Sequence, residues 1–364
     1  MVENDFYKIE VLDYPVYLGN HLWNDLSSFL QQITPSREVF LLSDHNTHKN
    51  CLPVLIEHLP WLAERPVFSI KPGEDEKEIA TLTKIWIWLM ELRASKRAIL
   101  VNLGGGVVTD LGGFAAATFK RGISYVNIPT SLIGQVDAAI GGKTGVNVSG
   151  VKNQAGAFND PEAVFIMPAF LATLPEDHFK SGMAEIIKCA ILSGNEFWEK
   201  TVNMVFHSQD FLFELIRESV LFKCKVVLDD PLEQSSRKML NFGHTIGHGL
   251  ESFFNRQGRN DYSHGEAVAT GMICEAYISY EIASLPSDEL EGLSRLIIKV
   301  FDLKPMNESL YDMVWQMMEY DKKNTEIGIG FSLIEKKGKP ILARTANKEF
   351  VYRAFEYFNR MVEQ

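Results

Sequence analysis

The sequence predicts two domains, an α/β unit over residues 1–175 and a mainly α-helical unit over residues 176–364. Three observations carry this expectation. Short β-branched runs alternate with helical stretches through the first half, the pattern of an α/β domain. The clearest of those runs leads directly into Gly104, Gly105 and Gly106, where a strand hands over to a helix. From about Pro175 the apolar spacing changes to three and four, and strand signals become sparse. A chain of 364 residues is also long for one core.

In chain order, residues 38–42 read as a strand closed by Ser43-Asp44-His45-Asn46, and residues 67–70 as a second closed by Lys71-Pro72-Gly73-Glu74. Helical periodicity follows over 80–92. Residues 98–103 form the strand before the glycines, residues 110–118 a helix, and residues 125–128 a further strand ending at Pro129. Beyond the boundary at Leu174-Pro175, helices are predicted over 183–192, 211–228, around His244 and His248, and over 267–283. One late strand signal occupies 330–334. Repeats and low-complexity segments are not evident.

Hydrophobic content of 46% and charged content of 23% describe a soluble globular protein. The formal charge of −11 argues against a general nucleic-acid or membrane-surface binder. An acidic shell can still hold a basic pocket, and Lys143, Lys152, Lys188, Lys223 and Arg237 collect in the motif region. Cys51, Cys189, Cys224 and Cys274 are widely spaced, without CxxC, which suits reduced thiols. The polar start of the chain lacks an apolar signal core, and the apolar stretch 85–90 is far short of a membrane span. A soluble, cytoplasmic protein is expected.

His244 and His248, four apart, fall on one helix face, and His264 follows sixteen residues after His248. With Glu185 these residues offer ligands for one divalent metal. A catalytic zinc takes about three protein ligands and keeps a position open. Gly104-Gly105-Gly106-Val107-Val108-Thr109-Asp110 places backbone N–H groups and a helix N-terminus where a phosphate or pyrophosphate would sit. The spacing departs from GxGxxG at Thr109, and a tight strand-to-helix turn explains it equally. Asp44 and Asn46 can bind a ribose, or Asp44 can simply be an N-cap. Glu74 and Lys77 are either cofactor contacts or a solvated loop. Gly141-Gly142-Lys143-Thr144-Gly145 is a second phosphate-like loop, but Asp137 stands where a P-loop needs glycine, so a P-loop NTPase is disfavoured.

Taken in order, Gly104-Gly105-Gly106-Val107, Lys120-Arg121-Gly122, Pro129-Thr130-Ser131, Val136-Asp137, Gly141-Gly142-Lys143-Thr144, Val151-Lys152-Asn153, Gly182-Met183-Ala184-Glu185, Arg237 with Leu240-Asn241-Phe242-Gly243-His244, and His264-Gly265-Glu266 resemble the 3-dehydroquinate synthase family of sugar phosphate cyclases. The resemblance runs from about Asp44 to Lys323. It implies an N-terminal α/β NAD-binding domain, a helical metal-binding domain, and a homodimer.

By the same resemblance the metal, zinc or cobalt, falls to Glu185, His244 and His264, while His248 moves to the substrate phosphate. NAD contacts fall on Asp44, Asn46, Glu74, Lys77, Gly105, Gly106, Val107, Asp110, Thr130, Ser131, Asp137, Lys143 and Lys152, and on Phe170, Leu171, Ala172 and Thr173. Catalytic and substrate contacts fall on Asp137, Lys143, Asn153, Lys188, Lys223, Arg237, Asn241, His248 and Lys323, with Arg121 reaching the neighbouring subunit. Ser131, Ala139, the stretch 175–179 and Ser235-Ser236 depart from the family's usual residues, and none of these departures removes a catalytic group.

The implied reaction converts 3-deoxy-arabino-heptulosonate 7-phosphate to 3-dehydroquinate and phosphate, the second step of the shikimate pathway. It proceeds by transient oxidation with NAD, phosphate elimination, reduction and ring closure. A 2-deoxy-scyllo-inosose synthase and a metal-dependent polyol dehydrogenase are the rival readings. Arg237 and Lys223 argue for an acid substrate and against the first.

Overall fold

The computed structural model describes residues 6–33, 38–149, 151–205, 211–257, 262–321 and 329–364. It divides into two compact units, Met1–Pro175 with Lys223–Leu232, and Glu176–Phe222 with Glu233–Gln364. Among the described residues no helix is long and apolar enough to cross a membrane.

The first unit contains β1 (Phe6–Val11), β2 (Tyr14–Gly19), α1 (Trp23–Ile33), β3 (Val39–Asp44), α2 (His45–Asn50), α3 (Leu52–His58) and β4 (Val67–Ile70). It continues through α4 (Ile79–Glu91), β5 (Ile99–Gly104), α5 (Gly106–Thr118), β6 (Ser124–Pro129), β7 (Lys143–Val148), β8 (Val151–Phe158) and β9 (Ala163–Ile166). Seven strands form one sheet in the order β1-β2-β9-β6-β5-β3-β4. The β1–β2 pair is antiparallel and the other pairs are parallel.

Alternate side chains of each central strand feed two cores. Val39 and Leu41 join Ile99, Val101 and Leu103 under α1 and α3, while Phe40 and Leu42 join Leu100 under α4 and α5. With both faces covered, these strands carry nearly continuous apolar runs, as parallel strands do. That is why the runs at 38–42, 98–103 and 125–128, now β3, β5 and β6, stand out in the sequence, while the run at 67–70 is the half-buried edge strand β4.

The two hairpins are less legible. β1 and β8 are largely exposed or half-buried, so neither has an apolar run. The phosphate-like loop expected at 141–145 is a turn, with φ of +99° at Gly141 and +64° at Gly142, followed by strand from Lys143 onward. No helix opens there, so the geometry is not that of a P-loop.

From β3 the chain moves outward to β4, returns through α4 to β5 on the other side of β3, and continues through α5 to β6. The direction of winding therefore reverses between β3 and β5. Crevices at the carboxyl ends of such strands are where open α/β sheets bind ligands.

The second unit contains α6 (Glu176–Ser193), α7 (Asn195–Val205), α8 (Leu212–Asp229, whose last turns belong to the first unit), α9 (His244–Arg256) and α10 (His264–Ala283). It ends with α11 (Ser287–Val300), α12 (Tyr311–Asp321), the hairpin β10 (Ile329–Lys336) and β11 (Lys339–Ala346), and α13 (Lys348–Val362). Helix α10 is the hub. It packs against α6, α9, α11, α13 and β10, and it is buried on nearly all sides, as an apolar helix at the centre of a domain must be. Helices α11 and α13 each bury one stripe at three-and-four spacing, for example Val351, Ala354, Phe355 and Phe358.

Two substitutions probe this packing. Phe355→Ala removes a fully buried ring and is expected to destabilise the protein by about 3–5 kcal/mol. Gly292→Ala lies inside α11, where an added methyl meets nothing within 4 Å, and is expected to stabilise by about 0.5–1 kcal/mol. Urea unfolding of the two variants checks both signs.

Candidate active site

In the second unit three helices deliver one ligand each. Glu185 lies within α6, and His244 and His264 are the first residues of α9 and α10. Their ligand atoms all lie within 4.8 Å of one another. Glu185 Oε1 is 3.3 Å from His244 Nε2 and 3.7 Å from His264 Nε2, while its Oε2 meets Lys188 Nζ one turn on.

The second ring nitrogen of each histidine faces an acceptor. His244 Nδ1 lies 3.1 Å from Phe242 O, and His264 Nδ1 lies 3.4 Å from Glu251 Oε2. Those partners assign the proton to Nδ1 and leave the Nε2 lone pair facing Glu185, the arrangement found around metal-bound imidazoles.

Electrostatics favours the same states. Burial raises the pKa of Glu185, but the Lys188 ammonium beside it outweighs that and, with His244 and His264 nearby, holds the carboxyl well below the usual range. Burial, then the Lys188 charge, lowers the His244 pKa to about 4, against the opposing pull of Glu185. An ionised Glu185 carboxylate beside a neutral His244 imidazole suits the donor set a divalent cation requires.

Close backbone approach makes this convergence possible. A methyl at Gly265 would lie 2.6 Å from Ser181 Cα on α6, and one at Gly271 would lie 1.9 Å from Gly243 O beside α9. His248, one turn after His244, stands edge-on to it with ring centroids 5.3 Å apart and is not one of the clustered ligands. Arg237 is buried on the 3-10 turn Ser236–Asn241, and Asn241 donates to Glu233 Oε1 at 3.2 Å. Lys323 lies outside the described residues.

In the first unit the expected cofactor residues gather at the carboxyl ends of β3, β5 and β6. Gly105 is the N-cap of α5, with Gly106 and Val107 in its first turn, and Thr130 N donates to Gly104 O at 3.0 Å. Asp44 caps α2: its Oδ1 accepts from Asn46 N at 2.8 Å and Thr47 N at 2.9 Å. Ser131 Oγ accepts from Gly134 N at 3.2 Å and so anchors the π turn Gly134–Ala138, which carries Asp137. Asp137 pairs with Lys223 at 2.5 Å. Phe170 and Leu171 are buried, Phe170 edge-on to Trp23, whereas Ala172 and Thr173 are exposed.

Lys77 is no solvated loop residue. It is 4% exposed and donates to Asp110 Oδ2 and Asn153 Oδ1, both at 2.5 Å. Burial raises the Asp110 pKa, and Lys77 offsets that only in part. Asn147 completes the network, donating to Glu74 Oε1 at 2.9 Å and accepting from Asn153 N at 2.9 Å. Lys143 begins β7, Lys152 lies in β8, and Arg121 is exposed on the turn after α5.

Asn147, Glu233 and Glu251 were not singled out in the sequence. Of the three only Glu251 has a local signal, since its positions seven after His244 and three after His248 put it on their face of the helix.

A family model described as 3-dehydroquinate synthase N-terminal matches residues 67–181, and one described as 3-dehydroquinate synthase C-terminal matches residues 182–324. A 3-dehydroquinate synthase of Parabacteroides distasonis is 37% identical over 345 residues, covering 94% of this chain and 97% of that protein. Among solved structures, a 2-deoxy-scyllo-inosose synthase complexed with carbaglucose-6-phosphate, NAD+ and Co2+ superposes with a TM-score of 0.85 at 24% identity, covering 97% of this chain and 99% of that one. The 2-epi-5-epi-valiolone synthase of Streptomyces hygroscopicus subsp. jinggangensis, with NAD+ and Zn2+ bound, gives 0.82 at 23% identity, covering 97% and 98%. At that identity the two structures establish the fold.

Proposed function

This chain belongs to the 3-dehydroquinate synthase family, and we propose that it carries out that family's reaction, converting 3-deoxy-arabino-heptulosonate 7-phosphate to 3-dehydroquinate and inorganic phosphate. The observation that carries this reading is the convergence of Glu185, His244 and His264 within a chain matched by both family models. NAD and zinc or cobalt are the cofactors. When bound, NAD supplies reversible hydride exchange and the metal supplies Lewis-acid polarisation of a substrate oxygen.

The remaining roles fall to this chain's own groups. Residues 1–175 hold NAD, with its pyrophosphate at the N-terminus of α5, and residues 176–364 hold the metal and most of the substrate contacts. Glu251 and the Phe242 carbonyl keep the two imidazoles turned toward the metal. Lys188 balances the charge of Glu185. Arg237 grips the substrate carboxylate in a planar fork, with Lys223 as a second cation. Lys143, Asn153 and His248, together with Lys323, hold the phosphate. Asp137, paired with Lys223, relays a proton from the substrate hydroxyl. The protein acts in the cytoplasm as a homodimer.

Phosphate release from the heptulosonate phosphate tests the whole reading. Release is expected to require NAD, to stop with a chelator and to return with zinc or cobalt. Net accumulation of NADH would instead identify a polyol dehydrogenase.

Three sets of variants divide the roles. His244→Ala and His264→Ala are expected to lose bound metal and activity, whereas His248→Ala keeps its metal and loses turnover. Metal content of the purified variants decides this, and a loss in His248→Ala equal to that in His244→Ala would reassign the ligands. Arg237→Lys is expected to weaken substrate binding by about 1.5–3 kcal/mol while leaving NAD affinity unchanged. Equal weakening of both ligands in titrations would make Arg237 structural.

The third set tests the shared site. Arg121→Ala and Lys143→Ala are each expected to be nearly inactive alone. Mixed under subunit exchange, they should recover about a quarter of wild-type activity, because half the dimers are heterodimers with one intact site. No recovery despite proven exchange would place Arg121 in its own chain's site.

A further inference from the structure

We infer that Glu275 is a positioning residue for His244, capping the N-terminus of α9 from the neighbouring helix α10. The inference rests on the ligand set proposed above. It begins with a missing side chain. The residue before a helix normally turns a side-chain oxygen toward the first N–H groups. Helix α9 starts at His244, so that place belongs to Gly243, whose carbonyl accepts the first helical bond from Gly247 N at 3.1 Å.

Position 243 has no room for a capping side chain. Its φ is +81°, and a Cβ would lie 2.5 Å from Met272 Cγ and 3.1 Å from Val268 O. Helix α10 runs this close because Gly271, too, lacks a side chain. The start of α9 is thus pressed against α10 without a cap of its own.

Glu275 sits one turn beyond Gly271 on α10 and is 0% exposed. Gly243 N donates to its Oε2 at 2.8 Å, and Ile246 N donates to its Oε1 at 3.0 Å. These are the N–H groups of the cap position and of the third helical residue, the two that a capping box satisfies with two separate side chains. Here one carboxylate holds both, and it places negative charge at the positive end of the helix.

His244 lies between the two anchored N–H groups, and Phe242, whose carbonyl faces its Nδ1 at 3.1 Å, directly precedes the first. The backbone held by Glu275 therefore sets both the origin of the His244 side chain and the acceptor that orients its ring. Glu275 contacts backbone at both oxygens, so it acts on the metal through His244.

Zinc affinity of the purified apoprotein, measured by competition with a chromogenic chelator, tests this without reference to turnover. Glu275→Gln keeps the shape but sets an NH2 against one of the two N–H donors. It is expected to raise the zinc dissociation constant about 10- to 100-fold, the range for lost partners of metal ligands. Glu275→Asp keeps the charge with a shorter reach and is expected to shift affinity in the same direction by less, which keeps the test open if Glu275→Gln does not fold. Leu293→Ala on α11 is the control for general destabilisation and should lower the melting temperature without changing zinc affinity.

Wild-type zinc affinity in Glu275→Gln or in Glu275→Asp, or an equal loss of affinity in Leu293→Ala at matched melting temperature, overturns the positioning role. His244→Ala monitors the underlying assignment. Wild-type affinity there would sink the ligand set itself, a different result from a failure confined to Glu275.

Discussion

Backbone contact between α10 and its neighbours α6 and α9 is the constraint on which the second unit depends. Ligand atoms must converge to within a few ångströms, yet ordinary helix pairs stand 8–10 Å apart, their side chains filling the space. Gly265 against Ser181 and Gly271 against Gly243 remove that filling at two crossings. The helices then meet main chain to main chain, and Glu185 from the middle of α6 and His244 and His264 from the starts of α9 and α10 reach a common point. Glycine inside a helix costs about 0.5–1 kcal/mol relative to alanine. The buried face of α10 offsets that cost, since it is packed on nearly every side.

The first unit solves a different problem with the same economy of means. The winding reverses between β3 and β5, beside the start of α5, and such reversals are where open α/β sheets bind ligands. What requires construction is the rim. Lys77 ties Asp110, on the helix that begins there, to Asn153 on the β7–β8 hairpin, and Asn147 ties that hairpin back to Glu74. An ammonium held by a carboxylate and an amide in a buried setting is strongly localised. The hairpin, which has little core of its own, is thereby held in register with the sheet.

Much of this was legible in the sequence, for physical reasons. Strands β3, β5 and β6 announce themselves because both faces are buried, and the second unit does so through three-and-four spacing. The metal cluster was readable from His244, His264 and Glu185, although histidine spacing alone would have recruited His248, which helical geometry places on the same face. Exposed hairpins left little apolar trace, and glycines at 141 and 142 looked like a loop where a strand follows. Asp44 could not be divided between ribose and cap from its type alone; the structure shows the cap, made through Oδ1. Asn147, Glu233 and Glu275 were silent because each acts on backbone or on another side chain, and Glu251 left only its place on the helix face of His244 and His248. Glu275 is the extreme case, an acid in an apolar helix whose partners lie 29 and 32 residues away.

The borrowed cap also governs how this chain can diverge. A helix start capped by its own serine or aspartate can exchange one capping residue for another in single steps. Here Gly243, Gly271, Met272 and Glu275 form an interlocked set. A capping side chain at 243 is opposed by Met272, by the main chain of α10 and by a φ of +81°, and any side chain at 271 meets the main-chain oxygen of residue 243 whatever that residue is. Loss of Glu275 leaves the helix start without its acceptor. No exchange among these four side chains alone frees the start of α9 for a cap of its own, because the obstacles are main-chain contacts and a positive φ as well as Met272.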